Sequence, residues 1–143
     1  MPIVKHLQQH KVVLDTHVWL WTMEGNLELS EEFRRHCKSL DEILISPISI
    51  WEIGMLVEKK RFTFEMDCLD WIEKALAFPG IRLAPISPRI AVQSTRLPGT
   101  IHADPADRIL VATAHEENAV LVTCDQKLLE YGRGHFISVH NPF

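Results

Sequence analysis

A chain of 143 residues is long enough for one domain with a sizeable apolar core. With 46% apolar and 24% charged residues, its composition is that of a globular protein and excludes a disordered chain. The formal net charge of −4 excludes a general basic field for nucleic acid, so any contact with RNA or DNA requires local basic groups or metal ions.

Short apolar runs alternate with capped segments in the first half of the chain. A buried strand over 12–15 precedes a helix over 16–23, and Ser30 is expected to cap a second helix. A strand over 43–45 is followed by Ser46-Pro47, where proline at the first helical position predicts a helix to about residue 59.

The second half continues the alternation. The spacing of Leu69, Ile72 and Leu76 predicts an amphipathic helix over 67–78. The remaining predicted elements are a strand over 81–86, a helix from Ser87-Pro88 to about residue 97, helices over 105–118 and 126–130, and strands over 120–123 and 136–139. Strands that alternate with helices indicate an α/β fold with a mainly parallel sheet of about five strands, and no linker divides the chain.

The cysteines and the hydropathy pattern bear on location. Cys37, Cys68 and Cys124 are widely spaced and form no Cys-x-x-Cys pair, which disfavours a disulfide framework or structural zinc and favours a reducing cytoplasm. No apolar run approaches the ~20 residues of a membrane-spanning helix, and the first eleven residues lack the apolar stretch of a signal peptide. We therefore expect a cytoplasmic protein with no membrane partner.

Acidic residues recur where apolar strands or helices begin or end. Five acids belong to this set: Asp15, Glu52, Asp104, Asp107 and Asp125. In a parallel sheet the carboxyl ends of the strands and the N-termini of the following helices meet at one edge, so these acids can converge. Only Arg108 adjoins any of them in sequence, and such a cluster therefore indicates a divalent cation that offsets the repulsion.

Each aspartate also has a purely structural explanation, because Asp is a preferred N-cap residue. Asp15 can cap the first helix and Asp125 the helix over 126–130. The segment Asp104-Pro105-Ala106-Asp107 can form a variant of the capping box.

Helix capping does not explain Glu52. It is predicted in mid-helix on a face shared with Ile48 and Leu56, and Lys59 and Lys60 are too distant for an i,i+4 ion pair. Glu52 is therefore predicted to point into a site.

The ligand chemistry favours a hard cation. All-oxygen ligands fit Mg²⁺ or Mn²⁺, whereas zinc prefers histidine and cysteine and no EF-hand spacing for Ca²⁺ occurs. His17 and His102 are expected at the rim rather than as ligands. The hydroxyls of Thr16 and Thr123 can orient a carboxylate, although both threonines can equally be strand-edge or cap residues.

The tryptophans and the densest basic patch each have a purely structural and a functional interpretation. The tryptophans are expected mostly in the core, with a partner-binding surface as the alternative; they are Trp19, Trp21, Trp51 and Trp71. The densest basic patch, Lys59-Lys60-Arg61, is expected to be a solvated helix end, and phosphate contact there is the less favoured alternative.

Four segments resemble the acidic blocks of PIN-domain ribonucleases, and in particular those of the VapC-type toxins of bacterial toxin–antitoxin pairs. The blocks are Leu14-Asp15-Thr16-His17, Ser49-Ile50-Trp51-Glu52-Ile53, Asp104-Pro105-Ala106-Asp107-Arg108 and Val122-Thr123-Cys124-Asp125. Each block alone is weak evidence, but the four in this order cover about 12–139, nearly the whole chain.

This resemblance implies a three-layer PIN-like domain over 1–143 that hydrolyses RNA phosphodiester bonds with water activated by Mg²⁺ or Mn²⁺. It assigns catalytic roles to Asp15, Glu52, Asp107 and Asp125, with Asp104 as a secondary metal ligand or cap, although Asp104 can also take the third position. A cognate antitoxin and a homodimer are expected by analogy alone. The first acid lies later than is usual in the family, which leaves an N-terminal extension over 1–10.

Two other functions use acids at the ends of strands. A receiver-like signalling module binds Mg²⁺ without being an enzyme, but it requires a lysine that closes a late strand, and Lys127 lies beyond Asp125 instead. A structure-specific DNA nuclease shares the metal chemistry, and only a comparison of substrates separates it from a ribonuclease.

Overall fold

The computed structural model describes residues 11–25, 29–39 and 42–143. The N-terminal extension predicted over 1–10 lies outside these ranges. The described strands are β1 Lys11–Leu14, β2 Glu42–Ile45, β3 Ile81–Leu83, β4 Val120–Val122 and β5 Val139–His140. The described helices are α1 Thr16–Met23, α2 Glu31–Cys37, α3 Pro47–Glu58, α4 Cys68–Leu76, α5 Pro88–Gln93, α6 Pro105–Glu117 and α7 Gln126–Gly132.

The five strands form one sheet in the order β3-β2-β1-β4-β5, and all its pairings are parallel. In the central strand, Val12 pairs with Ile43 on one side and with Val120 on the other. The predicted α/β fold with a parallel sheet flanked by helices is therefore confirmed. Such a sheet brings the carboxyl ends of β1 and β4 to the same edge.

Two apolar cores lie on opposite faces of this sheet. Alternate residues of β1 divide between them, because successive side chains of a strand point to opposite faces. Leu14 packs with Trp19 and Phe33 in one core, whereas Val13 packs with Leu110 in the other. Both faces are thus covered, as a parallel sheet requires.

Two strands differ from the prediction by more than one residue at an end. β3 ends at Leu83 rather than at residue 86: the Ala84 N–H still donates to the Ile45 carbonyl at 2.8 Å, but Pro85 has no N–H to extend the ladder. β5 begins at Val139 rather than at residue 136, and the ring of Phe136 stacks on His115 with centroids 4.1 Å apart. Apolar character predicted both strands, but the ladder is shorter than the apolar run.

The described helices are short. The longest, α6, has 13 residues, and no helix in the described ranges is long and apolar enough to span a bilayer. Cys37, Cys68 and Cys124 are free thiols.

Candidate active site

Asp15 stands at the junction of β1 and α1 and holds two elements together. One carboxylate oxygen accepts the Thr16 N–H at 2.7 Å, so Asp15 does cap the helix. The other oxygen accepts the Thr123 hydroxyl at 2.7 Å, and that hydroxyl in turn accepts the Asp125 N–H at 3.0 Å. Thr123 therefore joins the two aspartates that follow β1 and β4.

Asp125 caps α7 in the same manner. Its Oδ1 accepts the backbone N–H groups of Lys127 and Leu128 at 2.8 and 3.1 Å. Within the described ranges, Oδ2 of Asp125 accepts no hydrogen bond from the protein. One oxygen therefore holds the helix while the other remains available to a ligand.

Glu52 is half-buried in α3 and is held by α1. Its Oε1 accepts the buried Thr16 hydroxyl at 2.5 Å, and Thr16 Oγ1 lies 2.9 Å from the Ser49 hydroxyl. Because a hydroxyl has one proton, Thr16 donates to Glu52 and accepts from Ser49. Thr16 and Thr123 thus each orient one acid, which was one of the two interpretations of these threonines.

The start of α6 contributes the remaining acids. Asp104 is the N-cap and accepts the Asp107 N–H at 3.1 Å. Asp107 Oδ2 lies 2.6 Å from His102 Nε2. Ligand atoms of His102, Asp104 and Asp107 all lie within 4.8 Å of one another, a spacing that can hold a metal ion.

The electrostatics connect all five acids. Burial raises the pKa of Asp15 and of Glu52, and it raises that of Asp107 from 3.8 to about 6. Neighbouring carboxylates raise them further: Asp125 acts on Asp15, Asp104 acts on Glu52, and Asp15 acts on both Glu52 and Asp107. Acids from four separate segments therefore lie close enough to repel one another, as the sequence predicted.

Arg108, the cation that adjoins the cluster in sequence, does not neutralise it. Its Nε donates to the Ser94 carbonyl at 2.8 Å, and its Nη1 lies 3.4 and 3.3 Å from the carbonyls of Ile101 and His102. No lysine or arginine of the described chain lies within ion-pair distance of the five acids. Apart from His102, which contacts Asp107, the donor set is carboxylate oxygen with no lysine or arginine of the described chain paired to it, which fits a hard divalent cation.

His102 lies closer to the acids than the sequence predicted. It was expected at the rim, but its ring contacts Asp107 directly. The feature of the sequence that could have predicted this contact is the position of His102 two residues before the N-cap Asp104. From there its side chain reaches the first turn of α6.

Two open grooves are lined in part by residues of the site. A cavity of about 900 Å³ is lined by His102, Lys127, Tyr131 and Phe136, among others. A smaller one of about 180 Å³ includes Thr16 and Glu52 in its lining. Both cavities are open to solvent, so a ligand larger than the cavities can reach their lining residues.

Comparison with known proteins gives a consistent set of similarities. The sequence profile of the PIN domain matches residues 12–134. Ribonuclease VapC22 of Mycobacterium tuberculosis is 32% identical over 117 residues, which are 82% of this chain and 88% of that protein.

Solved structures resemble the fold over almost the whole chain. VapBC2 from Rickettsia felis bound to a promoter DNA fragment matches with a TM-score of 0.68 at 18% identity, covering 92% of this chain and 98% of that one. DNA-bound VapBC from Salmonella typhimurium matches with a TM-score of 0.65 at 19% identity, covering 91% and 96%. At such identities these two structures establish the fold alone.

Proposed function

The chain belongs to the PIN domain family and is related to VapC-type ribonucleases, and from this premise we propose that it is the endoribonuclease toxin of a toxin–antitoxin pair. The observation that carries the proposal is the gathering of five acids at one edge of the sheet with no lysine or arginine paired to them in the described chain. The relative named as a ribonuclease supports the same chemistry.

Mg²⁺ or Mn²⁺ is the cofactor that fits these ligands. Asp15, Asp107 and Asp125 are the main ligands, Asp104 is a secondary one, and Glu52 is either a ligand or the base that orients the attacking water. When bound, the ion supplies positive charge to the scissile phosphate and lowers the pKa of water. No side-chain nucleophile is required.

The other groups of the site position these acids. Thr123 and Thr16 each donate a hydrogen bond to a carboxylate, which fixes Asp15 and Glu52 and leaves their remaining lone pairs directed at a ligand. His102 does the same for Asp107. The half-buried setting excludes part of the water, which strengthens the electrostatic contacts made with a phosphate.

The expected macromolecular partners are an antitoxin and a second copy of this chain. Similar solved structures are VapBC complexes and a toxin–antitoxin complex from Klebsiella pneumoniae. An acidic cluster with no lysine or arginine of the described chain paired to it would accept an arginine from an antitoxin peptide, which would compete with the metal. A toxin of this kind meets its RNA in the cytoplasm, and a homodimer rests on family analogy.

Cleavage assays test the proposal. Purified protein should cut RNA and leave DNA of the same sequence intact, in Mg²⁺ or Mn²⁺ and not in EDTA. At a Mg²⁺ concentration of 100 Kd, binding to the native state should add about 2.7 kcal/mol to the unfolding free energy, visible as a higher melting temperature. DNA cleavage alone would favour the DNA nuclease, and labelling by a small phosphodonor without cleavage would favour the receiver-like module.

A further inference from the structure

Trp51 is the least expected side chain near the acids. It exposes 60% of its surface, whereas Trp19 is fully buried, so Trp51 takes the surface position that was the alternative interpretation of the tryptophans. Trp51 directly precedes Glu52 on α3 and therefore stands at the border of the acid cluster. Tryptophan is one of the residues enriched in surfaces that bind partners.

Two cations lie on the same side of α3 as this ring. Trp51, Met55 and Lys59 follow one another at helical i, i+4, i+8 spacing and so share a face. α3 then ends in a tight turn: Lys60 is left-handed with φ 58°, and the Arg61 N–H donates to the Leu56 carbonyl at 2.9 Å. Because of this turn, the backbone of Arg61 lies next to the last turn of α3.

The result is one continuous pocket of about 180 Å³. Its lining includes Thr16, Trp51, Glu52, Lys59 and Arg61. The pocket therefore joins an aromatic ring and two cations directly to an acid of the cluster. Within the described ranges, neither Lys59 nor Arg61 forms an ion pair, so both charges are available to a ligand.

The charge pattern determines which ligand this pocket suits. In a chain of net charge −4, two unpaired cations beside an acidic cluster form a local positive site that suits an anion. An exposed indole ring adds a stacking surface, and rings that alternate with cations are the means by which proteins hold single-stranded nucleic acid. Backbone phosphate and an unpaired base together match both features.

We propose that Trp51, Lys59 and Arg61 form a binding platform for single-stranded RNA next to the scissile bond. Trp51 stacks on one base, and Lys59 and Arg61 hold neighbouring phosphates. The inference rests on the proposed ribonuclease function, which it deepens by locating the strand that flanks the cleaved phosphodiester. The three residues bind and position substrate, and the acids remain the catalytic groups.

Binding of RNA without cleavage tests the platform. The probes are a fluorescein-labelled mixed-sequence single strand of about ten nucleotides and a hairpin with a loop of that sequence, measured by anisotropy with Ca²⁺ in place of Mg²⁺. Loss of base stacking on Trp51→Ala should raise the Kd about five- to a hundredfold. Trp51→Phe retains an aromatic face and should recover much of the affinity.

A matched control variant tests the contribution of base stacking on Trp51, and a salt titration tests the contribution of the phosphate contacts of Lys59 and Arg61. Leu69 on α4 has the same 60% exposure but does not line this pocket, and Leu69→Ala should leave the Kd unchanged. Lys59→Ala and Arg61→Ala should each lower the slope of log Kd against log salt concentration by about 0.7, the contribution of one phosphate contact with a single strand. In cleavage assays Trp51→Ala should raise KM more than it lowers kcat.

Several outcomes would overturn the platform. They are an unchanged Kd for Trp51→Ala, an unchanged salt slope for both cation variants, and no binding of either probe by the wild-type protein. A Trp51→Ala variant that binds RNA normally but loses the co-expressed antitoxin, or changes molar mass in light scattering, would assign this surface to a protein contact. If RNA binds through Trp51 but wild-type protein never cleaves it, the nuclease function fails and the platform stands.

Discussion

The two edges of the sheet carry the same kinds of charged residue in opposite arrangements. At the amino edge, Lys11 of β1 and Arg82 of β3 alternate with Glu42 of β2 and Glu117 of α6. Arg82 lies 2.9 Å from Glu42 and 3.1 Å from Glu117, and Lys11 lies 3.4 Å from Glu117. At the carboxyl edge, five acids gather and no lysine or arginine of the described chain pairs with them.

The pKa shifts express this difference. Hydrogen bonding to Arg82 lowers the pKa of Glu42, which means that the fold favours its charged form. Burial and neighbouring carboxylates raise the pKa of Asp15, Glu52 and Asp107, which means that the fold disfavours theirs. The acids at the amino edge are paired with lysine and arginine, whereas the acids at the carboxyl edge are not paired with either residue in the described chain. A binding function belongs at the second edge.

The largest expected effect is that of Asp15→Asn, which removes a proposed main metal ligand from the carboxyl edge. RNA cleavage should fall at least about a hundredfold, because a bound metal contributes several kcal/mol of charge stabilisation in the transition state. The melting temperature without metal should stay the same or rise, since a disfavoured buried charge is lost. Glu42→Gln at the amino edge is the control and should keep wild-type cleavage; full activity in Asp15→Asn would contradict the assignment.

The next effect separates the two acids of α6. Asp107→Asn should reduce cleavage by at least about tenfold more than Asp104→Asn. The side chain of Asp104 caps α6, and asparagine caps a helix equally well, so Asp104→Asn should change the site less. Rates at several Mg²⁺ concentrations measure the difference. A larger loss in Asp104→Asn would transfer the third main ligand to Asp104.

The pH dependence of stability should differ in sign between the edges. Asp107, whose folded-state pKa is raised from 3.8 to about 6, destabilises the metal-free fold as the pH rises through that interval. Glu42, whose pKa is lowered, stabilises the fold above its ordinary value of 4.5, and this contribution is lost as the pH falls below it.

Melting curves in EDTA between pH 4 and 7.5 check this prediction. The Asp107→Asn variant should lack part of the decline that the wild type shows between about pH 4 and 6, a difference of a few degrees. Cleavage should rise over the same interval, because the ligands must lose their protons. Identical curves for the two proteins would show that Asp107 ionises normally.

The smallest effect is expected at the amino edge. Arg82→Ala removes two contacts of a half-exposed guanidinium, and such pairs contribute little in water. The melting temperature should fall by no more than about 2 °C, and the difference should shrink at high salt, with cleavage unchanged. A loss of cleavage here would mean that the two edges are coupled.

Much of the fold was readable from local patterns. Caps at Ser30, Ser46 and Ser87 marked helix starts that the structure confirms, because a capping side chain bonds to backbone within its own first turn. The alternation of strands and helices predicted the parallel sheet, since parallel strands require crossover connections. The lengths of β3 and β5 were overestimated, because hydrogen-bond partners are not encoded in apolar runs.

The sequence by itself determined which acids stand at the ends of strands and helices, and hence that they can meet. Only the tertiary structure decided that Thr123 joins Asp15 to β4, that Arg108 turns away to bond backbone carbonyls, and that Trp51 faces solvent. The physical reason is one of range. Capping and periodicity act within a few residues, whereas desolvation, ion pairing and exposure depend on which distant segments the strand order places side by side.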